Sequence, residues 1–95
     1  MFIGSLRLDL YMPQCANLKE KRQVIKSIID RTSSRFNVAI AEVDKHDLWQ
    51  SSSIGIACVG NSETFVRNTL DRVDRSIRGM GKAEIIEAPL EIHTS

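Results

Sequence analysis

"NVAIAEVDKHDLWQSSSIGIACVG", residues 37–60, decides the fold. Residues 37–43 and 51–60 are both short apolar runs rich in Val and Ile, which reads as two strands. The polar "DKHDLWQ" between them reads as a hairpin loop, with Trp49 near its exit. Two consecutive strands break the regular strand–helix alternation that builds a parallel sheet. What flanks this hairpin on each side then sets the architecture.

On the N-terminal side lies a helix. Asn17 is an N-cap with Glu20 three residues on, a spacing that satisfies two orphan backbone donors. Leu18, Val24, Ile25, Ile28, Ile29, Thr32 and Phe36 follow at helical spacing and predict one apolar stripe over residues 18–35. Before it, residues 2–12 alternate: Phe2, Leu6, Leu8, Leu10 and Met12 fall on one side, Ser5, Arg7, Asp9 and Tyr11 on the other. A period of two is a strand with one face on a core, and Pro13 ends it by lacking an N–H.

Beyond the hairpin, Ser62 caps a second helix, on which Val66, Leu70, Val73 and Ile77 form the buried row. Gly79 and Gly81 stop it. Residues 82–92 alternate again, with Ile86, Ala88, Leu90 and Ile92 expected on one face and Ile85, Glu87 and Glu91 on the other. The order is strand, helix, strand, strand, helix, strand. The expected fold is therefore α+β, a ferredoxin-like βαββαβ two-layer sandwich, with a four-stranded antiparallel sheet and both helices on one face. Residues 1–95 form a single domain, which buries roughly 60–70% of its unfolded surface.

The composition, 42% hydrophobic and 26% charged, is that of an ordinary globular protein, and the net charge is +1. Any affinity for nucleic acid must therefore come from local clustering of cations. The N-terminus carries Arg7 and Asp9 within its apolar alternation, so it does not read as a signal peptide. Cys15 and Cys58 are far apart without metal-site spacing and read as reduced thiols, in keeping with a cytoplasmic protein.

Helices on one sheet face leave the other bare. There Arg7, Asp9, Glu87 and Glu91 are polar, yet Ile3 and Ile85 are expected beside them, and the middle hairpin is apolar on both sides. Strands apolar on both sides are usually buried on both. A homo-oligomer, dimer or higher, is expected, with Ile3, Ile85 and a packed Trp49 as interface candidates.

Several chemistries known for this architecture lack their residues. A soft-metal carrier needs a paired thiol that Cys15 does not have. "YMPQCAN" has no glycine for a phosphate-cradling loop. Ser5, Arg7, Ser51, Ser53 and Gly55 offer no aromatic platform for bases, and "GMGK" lacks the spacing of a nucleic-acid clamp. Glu42, Asp44 and His46, spaced by two, would point one way from an extended chain and could hold a metal, but such a stretch is usually no more than a polar hairpin loop. Neither His46 nor His93 has a nucleophile beside it in sequence. No catalytic residue, metal ligand or cofactor is assigned.

Four separated blocks, "LKEKR" (18–22), "RFNV" (35–38), "AEV" (41–43) and "DLWQ" (47–50), resemble the YlxP-like family of small bacterial proteins of unknown function. The resemblance runs from the first strand to the last. It implies a ferredoxin-like, cytoplasmic protein with no catalytic motif, and a gene neighbourhood of transcription and translation factors. Lys19, Lys21, Arg22, Arg35, Asp47 and Trp49 occupy the positions that mark the family.

Lys19, Lys21 and Arg22 stand at the positive end of the helix dipole, each disfavoured there by a few tenths of a kcal/mol. Such crowding suits an anionic partner. The expected function is a non-enzymatic RNA- or ribosome-associated binding module, with Lys19, Lys21, Arg22, Lys26 and Arg35 as phosphate contacts. The alternative is a homo-oligomeric adaptor whose basic first helix meets an acidic protein surface, as Glu42, Asp44 and Asp47 of a second copy could supply. No membrane contact is expected.

Overall fold

The computed structural model describes residues 1–95 and bears out the ferredoxin-like expectation. Strand β1 (Phe2–Tyr11) leads to helix α1 (Leu18–Arg35). The hairpin β2 (Ala39–Asp44) and β3 (Ser51–Gly60) follows, then α2 (Glu63–Gly79) and two short strands, β4 (Glu84–Glu87) and β5 (Leu90–Thr94). The sheet order is β2-β3-β1, with β4 and β5 sharing the lane on the far side of β1, and every pairing is antiparallel.

Both helices start as the sequence predicts. Asn17 Oδ1 accepts the Glu20 N–H at 2.9 Å, and Ser62 Oγ accepts the Phe65 N–H at 3.3 Å. Glu20 reaches back to the N–H of Ala16, also at 2.9 Å, one residue earlier than in the usual reciprocal box. Helix α2 ends at Gly79, and Gly81 takes the left-handed φ of +68° that turns the chain toward β4.

The core lies between the layers. Leu6, Leu8, Leu10 and Met12 face Ile54, Ile56 and Cys58 along the sheet, and Ile25, Ile28, Phe36, Val66, Leu70, Val73 and Ile77 close over them. Each of the larger side chains contributes about 1.5–3 kcal/mol relative to exposure. Cys15 is buried as well, although its loop position allowed exposure.

The last strand departs from expectation. It is broken at Ala88 and Pro89, and its parity flips inside the first half. Tyr11 pairs with Glu84 and Leu10 with Ile85, but Asp9 pairs with Glu87, so Ile86 is an extra, bulged residue. One inserted residue exchanges the two faces of a strand. Ile85 is therefore turned toward the core, half-buried and packed against it, and Ile86 is 62% exposed. This overturns the placement of Ile85 on the bare face. Ile3, opposite Val59 and His93, does lie there.

Helix α2 approaches β1 closely at Gly4. A Cβ there would strike the Val66 side chain and come within 2.7 Å of Leu70 Cδ1. Gly4→Ala is expected to destabilise the protein by about 1–3 kcal/mol, since α2 must shift or adopt poor rotamers. Urea unfolding checks this: the midpoint falls while the slope is unchanged.

Candidate functional site

The expected phosphate contacts do not form one patch. Lys19 and Arg22 are exposed and belong to no ion pair. Lys26 is bound to Asp30 at 2.6 Å one turn on, an exposed pair of about 0.3–0.5 kcal/mol. Lys21 is withdrawn from the set altogether. Its side chain is 1% exposed, and its ammonium lies 2.8 Å from Glu42 Oε2. It also donates to the carbonyls of Lys45 at 2.6 Å and His46 at 3.3 Å. At this position in the turn its stem continues the stripe of Ile25 and Ile28, so burial follows from helical spacing.

Glu42 completes that site with a 2.6 Å hydrogen bond accepted from Ser52 Oγ. Burial pushes its carboxyl up, but the hydrogen bonds from Lys21 and Ser52 and the Lys21 charge outweigh it, holding Glu42 below the ordinary carboxylate range. Glu42, Asp44 and His46 are not brought together. A bulge between Glu42 and Asp44 sends Glu42 inward, while Asp44 Oδ2 faces Arg7 across the bare face at 3.6 Å. His46 Nε2 lies 3.2 Å from the Glu42 carbonyl.

Arg35 stands at the other end of α1. Its guanidinium carbon is 5.6 Å from the centroid of the Phe36 ring, and Arg72 of α2 lies over the same ring at 5.6 Å. By helical spacing Arg31 and Arg35 occupy a different flank of α1 from Lys19, Arg22 and Lys26. Arg72 escaped the sequence reading because only the tertiary fold brings it to Arg35; Phe36 beside Arg35 was its one local signal.

Charge is divided between the layers. Residues of α1 and α2 include ten cations and five carboxylates, whereas strands and loops carry three cations and seven carboxylates. The helix layer thus has a surplus of five positive charges and the remainder a surplus of four negative ones, which the net +1 conceals.

The bare sheet face has a shallow groove of about 560 Å³ with a floor of Ala39, Ala41, Gly55 and Ala57, flanked by Val43, Pro89, Arg7 and Glu91. Beside it Ser53 Oγ donates to Asp9 at 2.6 Å and Arg7 Nε donates at 3.2 Å. The Ser53 hydrogen bond foremost, with Arg7 assisting against desolvation, keeps the Asp9 carboxyl lowered. Burial, reinforced by Glu20, pushes the Cys15 thiol up, away from the nucleophilic thiolate. Trp49 is 50% exposed, so the chain itself does not supply the packed setting expected for it. No helix is long and apolar enough to cross a membrane.

The family model described as "Protein of unknown function (DUF503)" matches residues 3–89. The Bacillus subtilis (strain 168) protein named "Uncharacterized protein YlxP" is 39% identical over 71 residues, which are 75% of this chain and 77% of that one. Among solved structures, the de novo designed ferredoxin-fold protein LFR1 1 aligns with a TM-score of 0.58 at 12% identity, covering 100% of this chain and 88% of its own. The Arabidopsis thaliana protein At3g17210 aligns at 0.51 and 10% identity, covering 98% and 94%. At such identities the likeness is one of fold alone.

The Lys21–Glu42 pair generates an acid prediction. Because the folded-state pKa of Glu42 lies below its unfolded value near 4.5, its contribution is complete above that pH and is lost as pH falls through the lowered value. Glu42→Gln is expected to flatten the decline of stability on acidification, measured as urea midpoints across that range. At neutral pH, Lys21→Ala strands a largely buried carboxylate and is expected to cost about 3 kcal/mol, more than the joint change Lys21→Met with Glu42→Leu.

Proposed function

This chain belongs to the DUF503 family of proteins of unknown function, and from that premise we propose that it is a non-enzymatic module that binds RNA, free or in the ribosome, through its helix layer. The observation that carries the reading is the division of charge: the surplus of cations lies on the two helices, where only Lys21 is paired with a carboxylate of the strands or loops. Lys19, Arg22, Arg31, Arg35 and Arg72 are on that layer without ion-pair partners, which leaves them to an external anion. The lowered carboxyls, Asp9 and Glu42, are accounted for by serine hydrogen bonds and ion pairs within the fold, and the raised Cys15 is a buried thiol, so none of the three asks for a catalytic role.

Binding of labelled single-stranded RNA, followed by anisotropy across salt concentrations, tests the reading. Each neutralised phosphate contributes about −0.7 to the slope of log affinity against log salt. Three to five contacts would give a slope of about −2 to −3.5. Lys19→Ala with Arg22→Ala is expected to weaken binding to all sequences alike and to flatten the slope, with the fold intact. Absence of any salt-sensitive association of the wild type with RNA or ribosomal subunits would sink the reading.

The bare sheet face favours a second contact, between copies of this chain. Its floor of small residues admits close approach, and Val43 and Val59 stand exposed on the same side. The wild type is then larger than the 10.7 kDa monomer in light scattering. Ala41→Asp should return it to that mass without altering its circular dichroism. A wild type that is monomeric at high concentration excludes the contact.

A further inference from the structure

Arg35 and Arg72 do more than raise the charge of the helix layer. Phe36 is only 9% exposed, so its ring is a fixed floor, and both guanidiniums lie 5.6 Å from its centroid. A guanidinium resting on an aromatic ring is held by its face and keeps its N–H edge free to donate. Neither arginine has a carboxylate partner to occupy that edge. Two like charges drawn to one ring repel each other, and an anion accepting from both relieves that repulsion.

Two adjoining depressions surround this pair. One, of about 410 Å³, is lined by Arg35, Phe36, Arg72, Arg75 and Ser76. The other, of about 460 Å³, shares Arg35 and Ser76 and adds Arg31. No carboxylate lines either one. Arg75 is held by Asp71 at 2.8 Å, which leaves Arg31, Arg35 and Arg72 as the unpaired cations. All of these residues stand in the C-terminal halves of their helices, so the attraction comes from side chains and not from a helix N-terminus.

The geometry points to a binding site for two neighbouring phosphate groups, one in each depression, bridged by Arg35 and flanked by Arg72 and Arg31. With its ring largely buried and engaged by two guanidiniums, Phe36 has no face left on which a base could stack, so recognition is of the phosphates and indifferent to sequence. Neighbouring phosphates occur in a polynucleotide backbone and in inorganic polyphosphate. The first source rests on the RNA reading above; the site itself does not.

The test combines two probes on the full chain. Sodium tripolyphosphate is titrated while the arginine side-chain Nε–H signals are followed by NMR. Binding of single-stranded RNA is then measured across salt for wild type, Arg35→Ala with Arg72→Ala, and Lys19→Ala with Arg22→Ala. The expected result is movement of the Arg31, Arg35 and Arg72 signals with Arg22 unmoved. The Arg35/Arg72 variant should lose about tenfold or more in RNA affinity at low salt, with its slope reduced by about 1.4, the value of two phosphate contacts. Arg35→Lys with Arg72→Lys, which keeps the charge but not the fork, should fall between, and it serves in place of the alanines if they unfold. Signals that move equally at every exposed arginine, or not at all, overturn the site. So does RNA binding that depends on Lys19 and Arg22 but not on Arg35 and Arg72, an outcome that leaves the RNA reading standing. Movement of the three signals by tripolyphosphate without any RNA binding upholds the site and removes RNA as its source.

Discussion

A buried ammonium ties this fold together. Lys21 leaves water in the first turn of α1, and a charge so placed is tolerated only when paired and fully hydrogen-bonded. Glu42 and the carbonyls of Lys45 and His46 meet that demand. They do so only because β2 is bulged between Glu42 and Asp44, and because Lys45 adopts a φ of 63°. The same bulge brings Val43 over Gly55, where a Cβ would lie 2.9 Å from Val43 Cγ1. It also directs Asp44 to Arg7 on the bare face. One buried charge thus couples the start of α1, the end of β2, the hairpin loop and the shape of the uncovered groove.

That constraint also sorts the basic run at the head of α1. Its members look alike in sequence but have three different fates. Lys21 is spent on the interior, Lys26 is shared with Asp30, and Lys19 and Arg22 remain for solvent or a partner. Glu42, one of the carboxylates considered for answering the basic helix of a second copy, is instead taken up by Lys21 of its own chain. The cations left over on α1 are joined by those of α2, most closely where Arg72 meets Arg35 over Phe36.

The element order was legible because it rests on local signals: the period of two in β1, the caps Asn17 and Ser62, and the apolar row Val66, Leu70, Val73 and Ile77. The parity of the last strand was not. Alternation over residues 82–92 fits either face until the extra residue Ile86 is known, and that residue is set by pairing with β1. Lys21 was half legible, since its spacing placed it by the stripe but its partner lay on another element. The convergence of the Arg31–Arg35 flank with Arg72 and Arg75 was illegible, because the two helices' pairs lie far apart in the chain and share no local pattern. Trp49 was expected to be packed; the hairpin loop leaves it half exposed within the chain, so only a second copy could supply that packing.

The separation of charge between the layers matters through screening. The molecule is 17 Å across its shortest dimension. The screening length is about 8 Å at physiological ionic strength and about 30 Å at 0.01 M. In cell-like salt, an anion at the helix layer feels the cations beside it and little of the carboxylates behind the sheet. In dilute buffer the same anion senses the whole molecule, whose net charge is only +1. On the proposed reading, attraction of a polyanion would come from orientation and not from total charge, with the helices turned toward it before contact. Such binding would need no strongly basic composition, and it would leave the sheet face, acidic at its edges and apolar at its floor, available for a different contact.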